Sequence, residues 1–295
     1  MSMSENRASR SAGRVWFITG TSTGLGRALA EAVVAHGERL VATARRPECL
    51  QDLADSAPDR VLALPLDVTS PEQVRTAVEE AIEHFGQIDV LVNNAGYGLF
   101  GALEEVSDIE AYHQFETNVF GTLRLTRAVL PFMRAQRSGH ILMMSSTGGL
   151  IAPPGSSMYN GSKFAIEGIA EALSQEVVSF GIHVTLVEPG VFRTDVLGRS
   201  LKRTQLALDD YAPMNGFVRQ WVEQNNGTQQ GDPAKAAQAM IKVVEAPEPP
   251  LRLALGADAL ELIHKKLAWV ASDLQTWEAT ALSTAFTPDT DESNT

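Results

Sequence analysis

Short apolar runs alternate with amphipathic stretches along most of the chain. Val15–Thr19, Arg39–Ala44, Val61–Leu66, Ile88–Val92, His140–Ser145 and His183–Val187 are brief and apolar, and read as strands covered on both faces. Between them Leu25–Val34, Glu72–His84, Gly121–Met133 and Tyr159–Ser179 place apolar residues every three to four positions, the spacing that lines one face of a helix. This alternation predicts an α/β fold, a parallel sheet with helices on both faces reached by right-handed crossovers. The pattern loosens over 195–232. Leu251–Leu255 then reads as a last strand, and Asp258–Leu282, within 256–282, as a long C-terminal helix. One domain over 14–283 is the simplest partition, with polar tails at 1–13 and 284–295 expected to be disordered.

Charge narrows the class. A net charge of −12 offers no basic surface for nucleic acid or anionic lipid. No apolar run approaches the roughly 18 residues of a membrane span. The N-terminal residues have no apolar stretch of the kind a secretory signal carries, and the lone Cys49 forms no internal disulfide, so the sequence predicts a cytoplasmic protein. Six scattered histidines without ligand spacing predict no metal.

The first strand runs into Thr19-Gly20-Thr21-Ser22-Thr23-Gly24-Leu25-Gly26, which opens the first helix. Glycines let the backbone turn tightly and approach a pyrophosphate, whose charge a helix N-terminus favours. Gly20–Gly24 also satisfies GxSxG, the nucleophile elbow of hydrolases. That reading leaves no earlier strand–helix loop to donate an oxyanion N–H, and gives Gly26 no role. The second strand ends Ala44-Arg45-Arg46. Ala44 stands where a site for NAD places an acid on the ribose, and Arg45 suits a 2′-phosphate. Arg46 reads as a solvated loop residue.

Tyr159 and Lys163 lie one helical turn apart on one face. Four tyrosines and six lysines would give about 0.08 such pairs by chance, so the pair alone is only suggestive. An ammonium beside a phenol stabilises the phenolate and makes proton transfer to a carbonyl practicable. Ser146, thirteen residues before Tyr159, ends a strand at the carboxyl edge where ligands of parallel sheets bind. A hydroxyl there also suits a turn cap, the part expected of Ser145. Asn93 and Asn94 end the fourth strand at the same edge, and Asn118 sits where the next helix begins; either position also suits a turn former.

Taken jointly and in order, the Thr19–Gly26 turn, Asp67-Val68, Asn93–Gly96, Asn118, Ser146, Tyr159, Lys163 and Pro189-Gly190 with Thr194 resemble the short-chain dehydrogenase/reductase family. The resemblance runs from Arg14 to about Leu282. Tyr97-Gly98-Leu99-Phe100 and the long last helix look like its 17β-hydroxysteroid-dehydrogenase-like branch. The resemblance implies a single Rossmann-type doubly wound sheet and a catalytic set. In that set Tyr159 is the acid/base and Ser146 polarises the carbonyl. Lys163 lowers the phenol pKa and holds the ribose, and Asn118 positions a relay water. It further implies that Gly20, Ser22, Thr23, Gly24, Leu25 and Gly26 hold the pyrophosphate, and that Asp67 and Val68 flank the adenine. Asn94, Ala95 and Gly96 would run beneath the ribose, Val191 and Thr194 would hold the nicotinamide amide, and Pro189 and Gly190 would also contact the cofactor. With Arg45, the expected cofactor is NADP(H).

Within 195–232, Met214, Phe217, Val218 and Trp221 fall at i, i+3, i+4 and i+7, with Pro213 at the helix start and Asn226-Gly227 at its end. An insertion at the carboxyl edge predicts a lid, with Met214, Phe217 and Trp221 joining Ser146 and Tyr159 around a hydrophobic carbonyl or alcohol. A helix that only packs on the core is the alternative. Leu260, Ile263, Leu267, Val270, Leu274 and Trp277 form a stripe on the last helix for which core packing is expected, a subunit interface being the sharper alternative. The faces of Gly121–Met133 and Phe164–Val177 suit pairing in a homodimer or homotetramer. Two function classes follow: a working oxidoreductase, and a nucleotide-binding sensor or scaffold without the chemistry.

Overall fold

The computed structural model describes residues 13–195, 198 and 200–286. Most of the two expected tails, 1–12 and 287–295, and positions 196, 197 and 199 of the 195–232 segment lie outside the described residues. In chain order the elements are β1 (Val15–Thr19), α1 (Gly24–Ala35), β2 (Arg39–Ala44), α2 (Gln51–Ser56), β3 (Val61–Pro65), α3 (Pro71–Phe85), β4 (Val90–Asn93) and β5 (Gly98–Phe100). Then come α4 (Asp108–Phe115), a π-helical turn (Glu116–Gly121), α5 (Thr122–Gln136), β6 (Gly139–Met144), α6 (Ser157–Val177), β7 (Ile182–Pro189), β8 (Leu201–Arg203), α7 (Ala212–Asn225), α8 (Pro233–Glu245), β9 (Arg252–Leu255) and α9 (Ala257–Leu282).

Seven strands form one parallel sheet in the order β3-β2-β1-β4-β6-β7-β9. The order reverses between β1 and β4, and ligands of such sheets bind in the crevice at the carboxyl ends of the strands there. β1 is buried along its whole length, and its side chains alternate between two cores. Trp16 and Ile18 pack with Leu29 and Val33 of α1 and Ala237 and Met240 of α8. Val15 and Phe17 pack with Val78 of α3, Leu125 and Val129 of α5 and Ile166 of α6. This period of two places helices on both faces.

The predicted strands and helices meet the observed ones with ends displaced by at most three residues. α3 shows the local logic. Ser70 accepts from Gln73 N, Pro71 opens the helix, and Gly86 closes it at φ 78°. Five features had no counterpart in the sequence pattern: α2, α4, the π turn, α8 and a two-stranded parallel ribbon of β5 with β8. The stripe on α9 departs from the expected core packing. Ala259 is the one buried residue of the helix, which beyond its first turns projects from the body with Leu267 and Leu274 exposed.

Candidate active site

The Thr19–Gly26 turn sits at the carboxyl end of β1 and is braced from β4. Asn94 Nδ2 donates to Thr19 O (2.8 Å) and Gly20 O (3.2 Å), while Thr19 Oγ1 accepts from the backbone N–H groups of Asn94 and Ala95, both at 2.9 Å. This fixes what each glycine does. A Cβ on Gly26 would stand 2.3 Å from Asn94 Nδ2 and 2.6 Å from Gly20 O, so Gly26 is required for close packing. Gly24, at φ 66°, faces open space apart from Thr194 Cβ at 3.8 Å, which puts Thr194 over the turn. The α1 N-terminus has no acidic residue in its first turn, and Thr23 makes no side-chain cap hydrogen bond. Such an end suits an anion, so the residues fit a dinucleotide pyrophosphate. Ser22 is exposed and hydrogen-bonds to no described residue, which leaves the elbow reading without a base. Leu25 packs on the core.

Arg45 and Arg46 are exposed at the end of β2 and form no ion pair with a described residue. Arg27, by contrast, is committed to Glu31 (2.7 Å) and Asp52 (2.5 Å). Asp67 Oδ1 accepts from Thr69 N–H and Oγ1–H. Val68 is buried against Gly121, whose Cβ would lie 2.6 Å from Val68 Cγ2.

Four residues of the expected catalytic set converge at the carboxyl edge. Ser146 follows β6, and Tyr159 and Lys163 stand on the first turns of α6. A Cβ on Gly148 would lie 3.1 Å from Tyr159 Cε1 and 3.4 Å from Ser146 Oγ, so the missing Cβ leaves room for both hydroxyl-bearing side chains, which hydrogen-bond to each other. Ser146 Oγ also accepts from Gly148 N at 3.0 Å, so it is the turn cap; Ser145, expected in that part, is buried instead. Lys163 Nζ donates to Met144 O at 2.6 Å and lies 5.9 Å from the Tyr159 ring centre. Asn118 is buried in the π turn, a distortion frequent at functional sites. Its amide is spent on the protein: Oδ1 accepts from Tyr97 N (3.1 Å), and Nδ2 donates to Tyr97 O and Ser162 Oγ, both 3.0 Å. Its backbone carbonyl accepts from Thr122 Oγ1 at 2.9 Å. A Cβ on Gly96 would stand 3.0 Å from Asn118 Oδ1 and 3.9 Å from Lys163 Nζ, so Gly96 closes the cluster from the β4 side.

The electrostatics pull in one direction. Burial raises the Tyr159 phenol, opposed by the Ser146 hydroxyl, and burial lowers Lys163 to about 8. Behind Lys163 lies an acid cluster that the sequence reading missed. Burial raises Glu167, and raises Glu188 to about 7, while Arg252 reaches Glu167 (3.2 Å), Glu171 (2.5 Å) and Glu188 (3.5 Å). Its one sequence signal was a carboxylate in an otherwise apolar strand.

Two further carboxylates shape the edge. Asp258, in the first turn of α9, accepts from Val191 N–H at 2.8 Å and occupies the space a Cβ on Gly190 would need. Val191 O accepts from Gly231 N–H, so both main-chain polar groups of Val191 are engaged, and Pro189 ends β7 beside them. Glu105, buried, accepts from Leu208 N–H and Asn215 Nδ2, both at 2.9 Å, and tethers the segment leading into α7. The expected stripe on α7 is divided. Met214 and Val218 face Gly155, just before α6, at 3.6 and 3.3 Å from where its Cβ would be. Phe217 is 68% and Trp221 37% exposed.

The family model described as short chain dehydrogenase matches residues 14–205. This chain is a short-chain dehydrogenase/reductase. The dehydrogenase is 40% identical over 273 residues to "Oxidoreductase BOA17" of Botryotinia fuckeliana, covering 92% of this chain and 99% of that one. It is 36% identical to a 3-ketodihydrosphingosine reductase of Bacteroides thetaiotaomicron, at 88% and 94% coverage. A solved short-chain dehydrogenase from Streptomyces avermitilis superimposes with a TM-score of 0.88 at 43% identity, over 93% of this chain and all of that one. Two more distant structures were solved with cofactors. A Burkholderia phymatum enzyme in complex with NAD has TM-score 0.76, 24% identity and 87% and 95% coverage, which shows the fold alone. A Thermococcus sibiricus alcohol dehydrogenase complexed with 5-hydroxy-NADP has TM-score 0.68, 25% identity and 82% and 95% coverage. Among the described residues no helix is long and apolar enough to cross a membrane, and no group of three acidic, histidine or cysteine side chains is placed to hold a metal.

Proposed function

We propose that this dehydrogenase is an NADP(H)-dependent enzyme that interconverts a hydrophobic ketone or aldehyde and its alcohol, with Tyr159 as acid/base. The convergence of Ser146, Tyr159 and Lys163 beside the open Gly24 turn carries the reading. When bound, the nicotinamide supplies or accepts the hydride. Tyr159 holds the proton that the carbonyl oxygen gains or the hydroxyl loses. Ser146 Oγ, which already accepts from Gly148 N–H, turns its own hydrogen to that oxygen. Lys163 places positive charge near the phenol and anchors to β6 through Met144 O. Asn118 positions the relay water through its main-chain carbonyl, because both of its amide N–H groups are committed to Tyr97 O and Ser162 Oγ.

The unpaired Arg45 supports the 2′-phosphate. The relative named for 3-ketodihydrosphingosine supports a ketone. We assign the 17β-hydroxysteroid-dehydrogenase-like branch, a cytoplasmic setting suited to the free, exposed Cys49, and a homodimer or homotetramer in which α5 and α6 pair. Phe120 and Phe164, about half exposed on the π turn and on α6, belong to that face. Following NADPH absorbance over a panel of ketones and aldehydes tests the activity. Turnover of large apolar members supports it; tight NADPH binding with no turnover across the panel would leave the sensor reading.

The lid is the finer part of the proposal. α7 is anchored by Met214, Val218 and the Glu105 tether, and presents Phe217 and Trp221 for closure over a bulky substrate. Burying an aromatic side chain against a ligand contributes about 1.5–3 kcal/mol. Trp221→Ala is therefore expected to reduce kcat/KM for a large apolar ketone roughly ten-fold or more, with a smaller effect on a very small ketone. Equal effects on both, or a best substrate that is small and charged, would remove the lid.

A further inference from the structure

The exposed face of α9 has a specific pattern. Leu260, Ile263, Leu267, Val270, Leu274 and Trp277 are spaced 3-4-3-4-3, the a and d positions of three heptads. In the structure Leu260, Leu267, Val270, Leu274 and Trp277 are 50, 60, 39, 69 and 64% exposed, so the body of the protein does not cover them. We propose that α9 is a pairing helix that docks antiparallel on the same helix of a second copy of this chain, about a twofold axis beside Leu267 and Val270.

Antiparallel pairing sets each a position against a d position. Leu267 meets Val270 of the other copy, Ile263 meets Leu274, and Leu260 meets Trp277, so every residue of the stripe has a partner, while Leu262, Trp269 and Leu282 lie outside it. The seam is isologous, as a twofold contact requires. Three heptads reach the roughly three to four that mark a coiled coil, and a helix of 26 residues is about 39 Å long.

Charge selects the direction. In the antiparallel register Lys266, which flanks Leu267, stands opposite Asp273 of the other copy, and symmetry repeats the pair. A parallel register would instead bring Asp273 against Glu278, twice, and leave Lys266 facing Ala271. Lys266 already lies over the Trp269 ring, with Nζ 4.3 Å from its centre, which holds the ammonium beside the seam. Charge also disfavours a bilayer as the occupant. The helix carries Asp258, Glu261, Asp273 and Glu278 against Lys265 and Lys266, whereas helices that lie on anionic membranes are rich in lysine and arginine. This pairing does not depend on the hydride-transfer reading, and it is separate from pairing through α5 and α6.

Light scattering on the full-length chain over a range of concentrations tests it. Leu267→Asp with Val270→Asp is expected to halve the assembly mass with an unchanged circular dichroism spectrum. Lys266→Asp and Asp273→Lys singly are each expected to weaken association about ten-fold, since each sets like charges against each other twice, and the double exchange to restore it, since both pairs are then opposite again. A monomeric wild type, or a mass indifferent to the seam variants, overturns the proposal. Tighter association of Asp273→Lys alone overturns the antiparallel direction. If the seam variants leave the mass unchanged but abolish co-sedimentation with phosphatidylcholine vesicles, the face belongs to a membrane surface instead.

Discussion

Tyr159→Phe is expected to fold, to bind NADPH as the wild type does, and to lose turnover by roughly a thousand-fold or more. Only the phenolic oxygen is removed, so packing around the ring survives while the group that moves the proton is lost; positioned acid/base groups contribute about 10²- to 10⁴-fold. Single-turnover measurement on the best substrate checks this, and near-normal turnover would exclude Tyr159 as the acid/base. Lys163→Ala is expected to lower both cofactor affinity and rate, because the same ammonium faces the phenol and, in the proposed complex, the ribose. The pH dependence follows from the shifts. Burial raises the phenol, so Tyr159 stays protonated at neutral pH, ready as the acid of carbonyl reduction. Lys163 loses its charge as pH passes about 8. Reduction should therefore hold through neutrality and fall above about 8. Alcohol oxidation, which needs the phenolate that this ammonium stabilises, should rise with pH from neutrality only up to about 8. Oxidation that declines between neutrality and about 8 would contradict the assignment.

Arg45→Ala is expected to erase most of a preference for NADPH over NADH. A charge-assisted contact to the 2′-phosphate contributes about 1.5–3 kcal/mol, roughly ten- to a hundred-fold. Arg45 is exposed, so screening by solvent and salt favours the lower half of that range. Titrating both cofactors against wild type and variant decides it. Equal or tighter NADH binding by the wild type, or a preference unchanged in the variant, would move the 2′-phosphate contact away from Arg45. Arg27 is no substitute, since Glu31 and Asp52 already hold its guanidinium.

Much of the site was legible because its parts are local. A strand that runs into a glycine turn and then a helix is one continuous segment, and Tyr159 with Lys163 is one helical turn. The glycines were legible as a set but not by role. That Gly26 packs against Asn94 while Gly24 faces open space depends on the β4 loop arriving some seventy residues later in the chain. Asn118 was legible as a candidate, but the π turn that holds it, and the commitment of both its amide N–H groups to Tyr97 O and Ser162 Oγ, were not. Glu105 and Asp258 went unread because a lone carboxylate on a polar stretch looks solvated. Their partners, Leu208 and Asn215 for one and Val191 for the other, are distant in sequence.

The sequence by itself determined the alternation of strands and helices, and through it the parallel sheet, since short apolar runs and period-3.6 stripes are properties of each segment alone. Period assigns a segment to strand or helix and marks its apolar face, without deciding whether that face is covered. The sequence also determined which residue types stand at the carboxyl ends of β1, β2, β4 and β6. Tertiary structure alone decided which faces remain uncovered. The stripe on α9 has the same hydrophobic spacing as the buried faces of α3 and α5, and periodicity reports that a helix has an apolar face without reporting what meets it. β9 is the edge strand of the sheet, so the helix that follows it finds no second layer to pack against beyond its first turns, and its leucines stay exposed.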